Sequence, residues 1–154
     1  MKKKLAIIII IILIVLVGAV IFYESSSQQI KVGDAYFNVP KGYQAQNVSD
    51  KLVRLVSDDK ILYINGNVTG SNIDKAVSDY VNFKNRTENT SIMVSDINEN
   101  GYNFHKSIAV TNSSIVHYWF IKENKIYEIY TSTADSNTDK LISSIVNTNN
   151  NLNL

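Results

Sequence analysis

The chain has 154 residues, 15 basic against 14 acidic side chains, and no cysteine. That length supports one compact domain, and the missing thiols exclude disulfides, thiolate metal sites and cysteine nucleophiles. Lys2, Lys3 and Lys4 precede a long apolar run, so from Glu24 onward twelve basic residues face fourteen acidic ones. A nucleic-acid partner needs a basic stripe, and none is present. Lysine outnumbers arginine 13 to 2, and Ile and Asn are abundant. AT-rich codons favour this composition, so frequent Asn or Lys is not a sign of Asn or Lys chemistry.

Residues 1–4 form a basic stub, and Leu5 to Tyr23 carry no charge. A helix of that length spans about 29 Å, close to the ~30 Å hydrocarbon core of a bilayer. It has no polar face and is therefore expected to cross a membrane. The lysines ahead of it keep the N-terminus cytoplasmic and send the remainder across, by the positive-inside rule. A cleaved signal peptide would have a shorter apolar region and a small-x-small site, for which Ser25-x-Ser27 is a poor substitute. A pilin-like leader would carry an acid early in its helix, and none occurs before Glu24. The expectation is an uncleaved, single-pass signal anchor at 5–23, in the cell membrane. A polar spacer at 24–29 leads into an extracytoplasmic domain.

Residues 30–147 read as that domain. Short runs with strand pattern flank turn residues: Ile30–Val32 and Tyr36–Val39 about Gly33-Asp34, Leu52–Val56 and Ile61–Ile64 about Ser57–Lys60. Ile92–Ile97 and Tyr102–Val110 flank Asn100-Gly101, the strongest hairpin dipeptide in the chain. Ile115–Ile121 and Ile126–Thr131 flank Lys122–Lys125. Helical spacing places Ile73, Ala76, Val77, Tyr80 and Val81 on one face, with Ser71 or Asn72 as cap. Leu141, Ile142, Ile145 and Val146 repeat that pattern after cap candidates Asp135 and Ser136. Both parities of Ile115–Ile121 are apolar or aromatic, as in a strand covered on both faces. The predicted fold is α+β: an antiparallel β-sheet with two amphipathic helices packed on it, preceded by one transmembrane helix. The Asn-rich tail, 148–154, is too polar to order itself.

The opening Tyr36-Phe37-Asn38-Val39-Pro40-Lys41-Gly42-Tyr43 resembles the start of PsbP-like domains. Tyr118-Trp119-Phe120, Lys125 to Ile129 and the helix ending Ile142-Ser143-Ser144-Ile145 resemble that group's last hairpin and final helix. The resemblance implies an antiparallel sheet between helices and an accessory, binding role without catalytic residues. The layout also resembles small membrane-anchored proteins of methanogenic archaea and AT-rich Gram-positive bacteria.

Candidate chemistry is sparse. With a turn at Ser113-Ser114, His117 would face Val110 and His105 would face Lys122, about 17 Å apart along the strands. Shared metal ligation is excluded in that register, and His117 reads as a half-buried sheet residue. Asp58-Asp59 fit a turn, and Gly66–Gly70 lacks the Lys-Ser/Thr of a phosphate loop. No Gly-x-Ser-x-Gly occurs, and Ser57-Asp58-Asp59-Lys60, in its predicted turn, is not a Ser-x-x-Lys that would suit a serine acyltransferase. No catalytic, cofactor or metal site is therefore expected. Candidate N-glycosylation sequons begin at Asn47, Asn67, Asn85, Asn89 and Asn112. Tyr118, Tyr127 and Tyr130 fall on adjacent predicted strands as a candidate aromatic contact patch. Together these features predict a membrane-anchored, non-enzymatic binding or assembly module. Its expected partners are the membrane, through 5–23, and another envelope protein or surface polymer. The alternatives are a small surface hydrolase or transferase and a pilin-like structural subunit.

Overall fold

The computed structural model describes residues 28–70 and 72–148; the side chains of 112–114 are not described. The expected span at 5–23 and the tail from 149 onward lie outside those residues. No helix among the described residues is long and apolar enough to cross a membrane.

Among the described residues nine strands and two helices follow in the order β1 (Gln28–Val32), β2 (Ala35–Val39), β3 (Gln44–Ser49), β4 (Leu52–Val56), β5 (Ile61–Asn65), α1 (Ile73–Thr87), β6 (Ile92–Glu99), β7 (Tyr102–Ala109), β8 (Asn112–Lys122), β9 (Lys125–Thr131) and α2 (Thr138–Val146). β1 and β2 form a separate hairpin, and the other strands form one sheet in the order β3-β4-β5-β9-β8-β7-β6. Every pairing is antiparallel. The two halves of the chain join where β5 pairs with β9, Tyr63 opposite Tyr130. This is the α+β arrangement that the patterning predicts, with a helix on each face of the sheet.

Local chemistry accounts for the turns and caps. Asn100 and Gly101 both have positive φ, 52° and 82°, which the β6–β7 hairpin requires and Asn-Gly supplies at low cost. The Asn72 side chain accepts from the Lys75 amide and caps α1. Asp74 in its first turn and Lys84 and Arg86 in its last complement the helix dipole.

The sheet has two unlike faces. One carries Val53, Leu55, Leu62, Ile64, Ile129, Tyr127, Phe120, Tyr118, Val116 and Phe104, all buried. α2 and the β1–β2 hairpin close over it, adding Phe37, Ile142, Ile145 and Val146 to one apolar core. Phe37 packs edge-on against Phe120 and Tyr127 at centroid distances of 6.2 and 5.2 Å.

Polar bonds fix α2 along its length. Lys60 is buried and reaches Asp135 at 2.9 Å and Thr138 Oγ1 at 3.2 Å. The Tyr118 hydroxyl donates to Asp139 at 2.5 Å, and Lys106 bonds the same carboxylate at 2.7 Å. At the far end Lys122, also buried, donates to the Val146 carbonyl at 2.8 Å. Burial holds the Lys122 ammonium below the ordinary lysine range. Asn38 on β2 donates to the carbonyls of Ser144 (3.0 Å) and Asn147 (2.7 Å) and accepts from Gln29 on β1 (3.2 Å). The first strand and the end of the last helix are thereby held at one residue.

Two expectations need correction, and one element has no reading in the sequence. Gln44–Ser49, which the sequence pattern leaves unassigned, forms an edge strand. The β7–β8 turn falls at Val110-Thr111, with an irregularity after Ile108, so His105 faces Trp119 and Ser107 faces His117. The α2 N-cap is Asn137, whose side chain makes no cap bond. Asp135 instead accepts from the Asn137 amide and the Thr138 hydroxyl just ahead of the helix.

Candidate functional site

The second face of the sheet is built of polar and aromatic groups. One cross-strand row runs Gln46, Arg54, Tyr63, Tyr130, His117, Ser107, Val94. The next runs Leu52, Asn65, Glu128, Trp119, His105, Asp96. α1 lies over the β8 side of these rows and leaves the β3–β4–β5 side without a helix.

At the centre Glu128 is buried and accepts from His117 Nδ1 at 2.5 Å and from Asn65 Nδ2 at 3.1 Å. The His117 ring stacks on Tyr130 at 5.2 Å, and Tyr130 stacks on Tyr63 at 4.8 Å. Tyr80 descends from α1 to 4.6 Å from His117 and 5.4 Å from Trp119. Trp119 Nε1 donates to Ser107 Oγ at 3.3 Å. Burial, with Glu128 nearby, raises the Tyr80 hydroxyl well above the ordinary tyrosine range and raises Tyr130 in the same direction. A carboxylate on Nδ1 fixes the imidazole tautomer. No group among the described residues bonds Nε2 of His117. A neutral imidazole held this way would present that atom as an acceptor, the arrangement of a general base.

His105 lies in the adjoining row. Its Nδ1 is 2.6 Å from Asp96, and its Nε2 is 3.6 Å from Asp74 on α1. The two histidines are diagonal neighbours, about 7–8 Å apart at the backbone, so the roughly 17 Å expected from the sequence is more than twice too long. Each is held by its own carboxylates, and no group of three or more metal-ligating side chains occurs among the described residues.

Beside this layer two cavities open at the end of the sheet. The larger, about 770 Å³, lies between the β1–β2 turn, the β3–β4 turn, the loop 66–70 and the start of α1. Lys51, Lys125, Asp34 and Asp50 line it. Lys125 pairs with Asp34 and, by hydrogen bond and charge, holds that carboxyl below the usual carboxylate range. The smaller, about 680 Å³, is lined by His105, Asp96, Asn98, Asn103 and the backs of Tyr102 and Phe104. Ile73 and Ile121 line both cavities, which adjoin at the sheet end. Ile121 is 55 % exposed there.

The tyrosines expected to form a patch do not share a face. Strand alternation turns Tyr118 and Tyr127 into the core, each 1 % exposed, and sends Tyr130 to the opposite face with His117. Of the sequon asparagines, Asn67 lies in the loop lining the larger cavity, and Asn89 follows α1 with φ of 48°. Asn47 is exposed on edge strand β3, Asn85 is exposed in the last turns of α1, and Asn112 begins β8. Sequence reasoning misses Asn65, Glu128 and Tyr80 as members of the site. Glu128 alone carries a signal, an acid between the apolar runs of a central strand.

No family model matches the chain, and no curated protein matches it. Among solved structures, the solution structure of cyanobacterial PsbP (CyanoP) from Synechocystis sp. PCC 6803 aligns with a TM-score of 0.45 and 14 % identity, over 77 % of this chain and 86 % of that one. A likeness of that size leaves the functional reading to the chain's own residues.

Proposed function

We propose that this chain is a membrane-anchored, extracytoplasmic binding or assembly module, non-enzymatic, of the kind carried by small envelope proteins of methanogenic archaea and AT-rich Gram-positive bacteria. The two cavities that share Ile73 and Ile121 support the reading best. They adjoin at these apolar side chains and each is lined by charged groups, the make-up of a recognition site. An envelope protein or a surface polymer laid across the sheet end would contact both. The test is capture from solubilised membranes with the intact chain and with Ile121→Glu. A partner held by the first and lost by the second supports the module; an unchanged set of captured partners overturns it. Protease added to intact spheroplasts tests the orientation, because an extracytoplasmic domain is digested while the N-terminal stub is protected.

The second reading, a small surface hydrolase or transferase, rests on one observation, the His117–Glu128 pair with Nε2 open. Turnover of ester or glycoside substrates that disappears in His117→Gln would favour it over the module.

A further inference from the structure

Tyr63 and Tyr130 stand directly opposite each other where β5 pairs with β9, the pairing that joins the two halves of the sheet. Their rings are stacked, 4.8 Å between centroids and 10° from parallel. Among the described residues no other two tyrosine rings stack or meet edge to edge. Both side chains are half-buried, so neither is sealed from solvent. The chain has no cysteine, so a covalent bond between its strands has to come from other side chains. Stacked phenols are suited to radical coupling. A ring that gives up one electron and its phenolic proton becomes a phenoxyl radical, with spin on the carbons ortho to oxygen. Singly occupied π orbitals overlap best between parallel rings, the arrangement this pair already has.

We propose that Tyr63 and Tyr130 are an oxidative cross-linking site, at which a carbon–carbon bond joins β5 to β9. The oxidant is hydrogen peroxide acting through a one-electron haem peroxidase. One peroxide takes one electron and one proton from each phenol and is reduced to two waters. The ε carbons of the two rings then bond. The hydrogen displaced from each carbon passes through water to the ring oxygen, so both rings are phenols again and the chain is lighter by two hydrogens. The bond closes a loop that holds α1, β6, β7 and β8. Such closure restricts the unfolded chain far more than the folded one. Asn65 and Glu128 are the next pair on the same face, so the cross-link also fixes the strands that carry the carboxylate of His117. The site uses neither cavity, so this inference goes beyond the function proposed above.

The test treats the full chain, dilute in detergent micelles, with hydrogen peroxide and a haem peroxidase. The expected product runs as a monomer in denaturant, shows the blue emission of a linked biphenol and weighs two hydrogens less. Its digest holds Tyr63 and Tyr130 in one cross-linked fragment. Its thermal midpoint rises by about 10 °C or more. Tyr63→Phe and Tyr130→Phe each lose the product and keep the fold. Tyr36→Phe removes the one tyrosine that is fully exposed among the described residues, at 52 %, and keeps the product. Cross-links through other tyrosines or between copies only, an equal yield from the urea-unfolded chain, no product at all, or a linked chain whose midpoint does not rise overturns the proposal.

Discussion

Gly66 lies directly beneath the ring of Tyr127: a Cβ built on the glycine would stand 2.8 Å from Cε1 of the tyrosine. The same ring carries the hydroxyl that donates to the Val32 carbonyl at 3.2 Å and accepts from the Asp34 amide at 3.3 Å. One contact therefore sets how close the β1–β2 hairpin comes to the sheet. Gly66→Ala is expected to push the ring outward and cost about 1–3 kcal/mol, as overpacking does. Tyr127→Phe keeps the ring, loses the bonds and costs about 1 kcal/mol. Denaturant midpoints measure both, and a neutral Gly66→Ala would show that the hairpin yields freely.

The pair of half-buried His117 and buried Glu128 is expected to behave as one unit. Glu128→Leu strands the imidazole and Asn65, and His117→Leu strands the carboxylate, each costing about 3–5 kcal/mol. The double substitution replaces the pair by apolar groups and costs less than the sum of the two. A double-mutant cycle on unfolding free energies checks the coupling, and additive losses would refute it.

Trp119 is the single tryptophan and is buried between the sheet and Tyr80. Trp119→Ala should cost about 3–5 kcal/mol. Tyr80→Ala should cost less, because part of that ring already meets solvent, yet it opens the indole to water. The readout is tryptophan emission, which shifts to the red in Tyr80→Ala while the global unfolding transition persists. Unchanged emission would mean that α1 does not shield the indole through this residue.

The pH dependence has two arms. Lys125 beside Asp34 lowers the carboxyl of Asp34, and Lys60, the Asn137 amide and Thr138 lower that of Asp135, both below the ordinary 3.8. Their stabilisation is complete above that pH and is lost as the pH falls through the depressed folded values. Asp34→Asn with Asp135→Asn should flatten the acid loss of stability. Both carboxylates are exposed, so the effect should be modest and shrink with salt. On the alkaline side burial raises Tyr80, Tyr102, Tyr118 and Tyr130 above the ordinary 10.0. For Tyr118 the hydrogen bond to Asp139 adds to burial. Stability is full below 10.0 and falls above it, so tyrosinate absorbance should appear together with unfolding.

Local pattern carries most of the architecture. Asn100-Gly101, the apolar stripes of both helices and the two-sided run Ile115–Ile121 place hairpins and helices where the structure has them. Three things escape that logic for physical reasons. β3 is an edge strand with exposed side chains, so burial leaves little apolar mark on Gln44–Ser49. The register of β7 on β8 depends on an irregularity after Ile108, which shifts His105 from Lys122 to Trp119. The site is assembled by the non-local pairing of β5 with β9, which brings Asn65 to Glu128, 63 residues away in the chain. Period and propensity describe neighbours in sequence, and the site is made of neighbours across strands.

The bridge at Asn38 has a mechanical consequence. Tension arriving through the residues before Gln28 meets first the β1–β2 pair and the bonds from Asn38 to the end of α2. β1 and β2 form a sheet of their own, apart from the seven-stranded one. Under such a load the hairpin should peel away before the sheet shears, while the cavities at Ile73 and Ile121 stay folded.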